Sequence, residues 1–194
     1  MIFHDVQQNT EDWMALRRGK FTCSIFDDLF MAKSTAGYRN AIYQVVFERL
    51  TGETPENFSS NWMERGHELE AEGLGKYELL TFNKVSNGGF VELNEWVGGS
   101  PDGFIDKNLV EIKCPKYSTM IDYLISKQLP KIYEKQVQGQ LYVTGAKWCD
   151  FMCYHQKLRP LIIRVERDEY IIAEIKMKLK EAVDKAKLII NQLK

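Results

Sequence analysis

Asp102, in the run Ser100-Pro101-Asp102-Gly103, stands nine residues before Glu111, and the single apolar residue Ile112 separates Glu111 from Lys113. Two carboxylates and an ammonium at this spacing can do phosphoryl chemistry. Carboxylate oxygens suit hard cations such as Mg2+ or Mn2+, and a phosphodiester needs such charge on its oxygens as it is cleaved. If 109–113 is a strand, its side chains alternate: Glu111 and Lys113 share one face, and Ile112 is buried on the other. The Ile112 carbonyl can still reach a metal. Asp102 approaches from an adjacent strand, and Lys113 sits where it can orient or deprotonate an attacking water and offset phosphate charge. Separately, Pro-Asp-Gly is an ordinary turn, and an acid-x-lysine strand end is common on solvated sheets. Joined by a hairpin-length gap, the two read as a metal-dependent nuclease site.

The elements that must carry these residues follow from the pattern along the chain. Thr10-Glu11-Asp12-Trp13 predicts a capped helix running to about Arg18 and stopped by Gly19. A second helix is expected near Ser24, with Ile25, Phe26, Leu29 and Phe30 on one face. A third covers about 39–50 and stops at Thr51-Gly52, and a fourth covers about 61–80 despite Gly66, Gly73 and Gly75. Strands are expected over 84–86, 89–93, 97–99, 103–106 and 109–114. Helices follow over 118–126 and, after Pro130, over 131–144, where Gly145 stops the second. Strands 148–155 and 161–166 precede a last helix from Asp168, which spaces Ile172, Ile175, Leu179, Ala182, Val183, Ala186, Ile189 and Ile190 as one apolar stripe. The order predicts an α/β sandwich: one central mixed β-sheet flanked by helices, in a single domain spanning 1–194. Its parts are a helical N-terminal region of about 1–80, a catalytic sheet region of about 84–166 and a C-terminal helix over 168–193.

A chain of 194 residues, 44% hydrophobic and 27% charged, can bury a full core. It has no apolar run long enough to span a bilayer, and its first residues lack the basic start and apolar stretch of a signal peptide. A cytoplasmic protein is expected. The net charge of −1 argues against a protein that coats DNA with a basic surface, though not against a local basic channel. Cys23, Cys114, Cys149 and Cys153 contain no C-x-x-C pair and read as reduced thiols, not a zinc site.

Five ordered motifs carry a resemblance over about residues 8–170. They are Leu16-Arg17-Arg18-Gly19-Lys20-Phe21-Thr22-Cys23-Ser24, Arg65-Gly66-His67-Glu68-Leu69-Glu70, the Asp102 and Glu111 motifs, and Gln136-Val137-Gln138. Together they resemble the phage lambda exonuclease family, the YqaJ-like viral recombinases of the restriction-endonuclease-like PD-(D/E)xK superfamily. The resemblance implies a restriction-endonuclease-like fold and a Mg2+-dependent exonuclease. Such an enzyme would degrade one strand of double-stranded DNA 5′ to 3′ from its ends, leaving 3′ tails for strand annealing. It further implies two metals per site, a homotrimeric ring, a single-strand annealing protein as partner, and a phage or prophage origin. No membrane partner is expected.

Matched position by position, Asp102 and Glu111 correspond to the metal acids, the Ile112 carbonyl to a further ligand, and Lys113 to the catalytic lysine. Glu70 matches an acid near the second metal, although on the residues alone Glu64, Glu68 and Glu72 compete with it. Gln136 matches an amide beside the catalytic strand, with Tyr133 one turn before it as a DNA contact; an ordinary surface glutamine reads as well from sequence, and Gln138 faces elsewhere. Arg17, Thr22 and Ser24 match residues that hold a terminal 5′ phosphate, a task suited to a guanidinium fork and hydroxyls. Without the resemblance they read as a cap and a surface arginine. Trp13 reads as a core anchor, and His67 and His155 take no role. Two rivals stand beside this reading: a structure- or site-specific endonuclease on the same fold, and a non-catalytic DNA-binding module.

Overall fold

The computed structural model describes residues 1–55 and 61–194, and over 61–68 the backbone alone. The motif Arg65 to Glu68, with the competing acids Glu64 and Glu68 and with His67, therefore lies outside the described side chains.

Among the described residues nine strands and six α-helices follow in the order β1 (Ile2–His4), α1 (Glu11–Arg17), β2 (Phe21–Thr22), α2 (Ala36–Thr51), α3 (Asn61–Thr81), β3 (Ser86–Asn87), β4 (Phe90–Asn94), β5 (Val97–Gly99), β6 (Gly103–Ile105), β7 (Asn108–Lys113), α4 (Tyr117–Ser126), α5 (Lys131–Thr144), β8 (Trp148–Cys153), β9 (Leu161–Glu166) and α6 (Glu169–Leu193). The α/β class is as expected, but the strands form two sheets, not one. One has the order β1-β4-β5-β2 and the other β3-β6-β7-β8-β9. The chain crosses between them at Ser100-Pro101-Asp102, where proline cannot donate to a ladder. The N-terminal region is not wholly helical either, because β1 and β2 are too short to show an alternating pattern. The helix expected at Ser24 is a pair of 3₁₀ turns, Cys23–Ile25 and Asp27–Phe30.

Local chemistry accounts for the helix ends. The Thr10 hydroxyl accepts from Trp13 N, the Asp168 carboxylate accepts from Tyr170 N and Ile171 N, and Gly52 and Gly145 end α2 and α5 in the left-handed conformation. In the five-stranded sheet β7 and β8 run parallel, joined through α4 and α5, while the other pairs are antiparallel. Alternation along β7 divides its side chains. Val110 and Ile112 pack with Tyr77 of α3, Met152 and Tyr154, whereas Leu109 packs with Val137 and Leu141 of α5. Glu111 and Lys113 fall on the α5 face. The sheet is thus covered by α3 on one side and α5 on the other. The first sheet, α2 and the α6 stripe enclose the remaining core.

Two glycines set how closely these layers approach. At Gly73 of α3 a Cβ would stand 2.8 Å from Ile112 Cγ2, so its missing side chain lets α3 lie against the catalytic strand. That approach also brings in Glu70, one turn earlier. At Gly88 a Cβ would stand 1.7 Å from the Pro101 carbonyl oxygen, so the backbone before β4 rests directly on the segment carrying Asp102.

Gly88→Ala must displace backbone, not a flexible side chain, and is expected to lower the unfolding free energy by about 1–3 kcal/mol. Gly75 of α3 has nothing within 4 Å of its virtual Cβ, so Gly75→Ala should instead stabilise by up to about 1 kcal/mol. Urea denaturation of the two variants checks both signs; equal effects would contradict the packing described.

Candidate active site

Glu111 organises the site. Its side chain is 1% exposed, so the charge needs partners, and three donors supply them. Lys113 Nζ and Gln136 Nε2 each donate to Oε1 at 2.6 Å, and Gln140 Nε2 donates to Oε2 at 2.9 Å. Strand alternation brings Lys113, and four-residue helical spacing brings the two glutamines from one face of α5. Burial alone would lower the Lys113 pKa, but Glu111, Asp102 and Glu70 outweigh it and hold the ammonium above the ordinary lysine range.

Asp102 lies just before β6. Where that strand has not yet begun, its Oδ2 accepts the N–H of Ile112 at 2.6 Å, which anchors the carboxylate beside Glu111. Burial first, then Glu111 and Glu70, push its pKa well above the usual carboxylate range, while Lys113 pulls the other way. Glu70 acts electrostatically on Asp102 and Lys113 alike and shares with Asp102 the lining of a cleft of about 430 Å³. Gln7, Gln8, Asn9 and Asn87 add an amide-rich wall to that cleft. Among the competing acids that can be described, Glu72 points elsewhere, accepting from Tyr154 and Gln156.

A second cluster adjoins the first. Arg17 donates to Ser100 Oγ at 3.1 Å and to Thr22 Oγ1 at 3.3 Å, and Thr22 meets Ser24 Oγ at 3.2 Å. Thr22 is buried and Ser24 exposed, so the cluster opens to solvent at Ser24. Burial lowers the Arg17 pKa to about 10, against Cys23 and Glu48, which act to raise it. Among the described residues its donors meet hydroxyls, not a carboxylate, which leaves a positive group suited to an anion. The turn behind it is clamped. Gly19, at φ +71°, donates to the buried Glu48 carboxylate at 2.6 Å, and its carbonyl accepts from Arg49 Nε at 2.7 Å.

The structure gathers Asp102, Glu111, Ile112, Lys113, Gln136 and Glu70 at one place and Arg17, Thr22 and Ser24 at the next. Tyr133 belongs with the first group: its ring packs on Phe151, and Lys113 Nζ lies 5.7 Å from its centroid. Gln138 faces elsewhere as expected, holding the Glu166 carbonyl and Asp168 N–H. Three participants escaped the sequence reading. Trp13 is no core anchor; it lies under the Arg17 guanidinium at 4.1 Å, and its indole donates to Ser100 Oγ at 3.0 Å. Its spacing of four from Arg17 on α1 was the available signal. Ser100 lies within the motif itself, and Gln140 stands four residues after Gln136. Gln140 is 1% exposed, and among the described residues its Oε1 meets no hydrogen-bond donor.

The donor set fits a divalent cation. Asp102, whose pKa is raised by burial and by the neighbouring Glu111 and Glu70, would be relieved by a positive ion beside it. Among the described residues no three His, Cys, Asp or Glu side chains form a closed cage. Mg2+ keeps several of its waters and is completed by substrate phosphate oxygens. Asp102, Glu111, Glu70 and the Ile112 carbonyl are the groups that would hold it.

Comparison with known proteins gives the family and the fold. The profile of the YqaJ-like viral recombinase domain matches residues 12–147. No curated protein matches the chain. Among solved structures, an alkaline exonuclease from Laribacter hongkongensis is 34% identical at a TM-score of 0.87, over 95% of this chain and 96% of that one. The same exonuclease in complex with dAMP gives a TM-score of 0.89 at equal identity and coverage. A phage-related exonuclease from Haemophilus somnus 129PT is 18% identical with a TM-score of 0.73, over 93% of this chain and 100% of that one, and shares the fold. With its ordered motifs, its α/β architecture and a profile match over most of its length, the chain belongs to the YqaJ-like viral recombinase family.

Proposed function

We propose that this chain is a Mg2+- or Mn2+-dependent DNA exonuclease that enters double-stranded DNA at its ends. It removes nucleotides from one strand 5′ to 3′ and leaves 3′ single-stranded tails for annealing. The observation that carries the reading is the buried Glu111 carboxylate, held between Lys113 and two glutamines beside Asp102 and Glu70. A structural ion pair has no need of a second and third acid, whose repulsion is unfavourable without a cation. The adjoining Arg17 cluster supports action at an end bearing a 5′ phosphate.

In this reading Asp102, Glu111, Glu70 and the Ile112 carbonyl would hold two cations, which when bound would supply positive charge at the scissile phosphate. The chain's own groups do the rest. Asp102 is fixed by the Ile112 N–H, and Glu111 by its three donors, so the acids keep their places without reorganising. Lys113, half-buried and directed at the acids, places its ammonium where it can orient the attacking water and accept or offset charge. Gln136 donates to the same Glu111 oxygen as Lys113 and so helps to hold that carboxylate in place. Arg17, Thr22 and Ser24 seat the terminal phosphate and so define which bond lies at the acids. Assembly as a homotrimer around the duplex and cooperation with an annealing protein are the further expectations of this family reading. Among the described residues no helix is long and apolar enough to cross a membrane.

Lys113→Ala and Asp102→Asn should each slow hydrolysis of linear duplex by at least about 10³-fold, because both remove charge acting in the transition state. Melting temperature should fall for Lys113→Ala, because the buried Glu111 carboxylate loses its cation, so the rates are compared well below the transition of the variant. Near-normal digestion by that variant would contradict the site.

End recognition gives a separate outcome. Wild type should digest 5′-phosphorylated duplex faster than 5′-hydroxyl duplex, and Arg17→Ala should remove most of the difference, about 10-fold or more for a lost charge-assisted contact. Release of labelled mononucleotides from the two substrates measures it. Equal rates in wild type would contradict the phosphate seat while leaving the catalytic acids untouched.

A further inference from the structure

Helix α5 touches both halves of the site. Gly139 passes so close to the 3₁₀ segment after β2 that a Cβ there would stand 2.4 Å from the Phe26 ring and 3.5 Å from Cys23 Sγ. Gly99 approaches the same region: its Cβ would stand 2.7 Å from Cys23 Sγ and 3.6 Å from Val143 of α5. Between these contacts Gln140 spans the two clusters. Its amide nitrogen donates to Glu111 Oε2 at 2.9 Å and, as a longer contact, to the Ser100 carbonyl at 3.4 Å. The hydroxyl of that same Ser100 accepts from Arg17 and from Trp13.

The orientation of the Gln140 amide is not arbitrary. Turned over, its oxygen would face a carboxylate and a carbonyl, two groups that only accept. The NH2 must therefore point at Glu111 and Ser100, and the buried Oε1 is left without a hydrogen-bond partner among the described residues as the consequence. A buried polar group retained in that state calls for a role that an apolar side chain would not fill.

We propose that Gln140 is a positioning residue that registers the Glu111 carboxylate against the Arg17, Thr22 and Ser24 cluster through Ser100, so that terminal phosphate and catalytic acid are held as one unit. The inference rests on the nuclease reading above and adds to it. Lys113 and Gln136 both hold Oε1, and Gln140 alone among the described side chains donates to Oε2. Its loss leaves the lysine pair in place but frees the carboxylate to turn about its remaining anchor. A shift of that kind, remote from the substrate, is enough to slow an oriented reaction substantially.

Gln140→Met keeps the length and removes the amide; Gln138→Met, which releases the Glu166 and Asp168 contacts instead, is the control. The measurements are kcat and KM on 5′-phosphorylated and 5′-hydroxyl duplexes with Mg2+, and affinity for the phosphorylated duplex in EDTA. For Gln140→Met the expected result is a kcat about 10- to 100-fold lower on the phosphorylated substrate with KM within about twofold. The phosphate-to-hydroxyl rate ratio should fall toward one, while affinity in EDTA stays within about twofold of wild type. Gln138→Met should keep the ratio whatever it does to melting temperature. Should Gln140→Met fail to fold, Gln140→Asn, with its amide one methylene short, must show the same loss of ratio. A preserved ratio overturns the inference, as does a fall in EDTA affinity that matches the fall in rate, which would make Gln140 merely a wall of the phosphate seat. An active wild type with no phosphate preference also overturns it, alone. A wild type that degrades neither duplex overturns the nuclease reading and this inference with it.

Discussion

Nearly everything at the functional end of this molecule depends on a carboxylate that has been taken out of water. Glu111 is 1% exposed, and an ion at that depth is tolerable only if its oxygens are met by donors and its charge by a cation. The chain meets this with an ammonium two residues along the same strand and two amides from the facing helix. Each of those donors is then fixed in turn by the carboxylate. The acid, the lysine and the glutamines form a closed arrangement, and on the proposed nuclease reading that meets the condition for electrostatic catalysis without reorganisation.

That arrangement constrains the scaffold around it. The α5 helix must lie flat on the β7 face, and α3 must cover the opposite face closely enough to deliver Glu70, which the missing side chain of Gly73 permits. Asp102 must stand off the end of β6, and this follows from the crossing between the two sheets at Ser100-Pro101-Asp102. The crossing does a second thing. Because Ser100 immediately precedes it, the same few residues connect the acids to the Arg17 cluster on the first sheet's side. Two sheets, where one was expected, thus supply the two halves of the site, and the short segment between them sets their separation.

Much of this could be read from residue types and spacing, and the reasons are local. Alternation along 109–113 was enough to place Glu111 with Lys113 and to bury Ile112, because period two is a property of the strand itself. The stripe on α6 and the caps at Thr10 and Asp168 are equally local. What escaped required knowledge of distant partners. The strands β1 and β2, of three and two residues, carry no pattern and exist only by pairing with β4 and β5. Whether Gln136, Gln138 or Gln140 mattered depended on which face of α5 met the sheet; two of the three do so, and the third clamps the start of α6. Trp13 has an aromatic body that reads as core and an indole N–H that in fact serves Ser100. The close approaches at Gly73 and Gly88 are likewise visible only once the layers are assembled.

On the proposed reading Asp102 and Glu111 share divalent cations with a DNA phosphate, and cation binding can be measured apart from hydrolysis. Free Mn2+ would be followed by its paramagnetic resonance signal as it is titrated into protein bound to a 5′-phosphorylated duplex whose first linkage cannot be hydrolysed. The account predicts that the wild-type complex removes Mn2+ from solution, and that Asp102→Asn and Glu111→Gln, each still folded and still holding the duplex, remove far less. Mn2+ uptake that is the same in wild type and in the doubly substituted protein would contradict it.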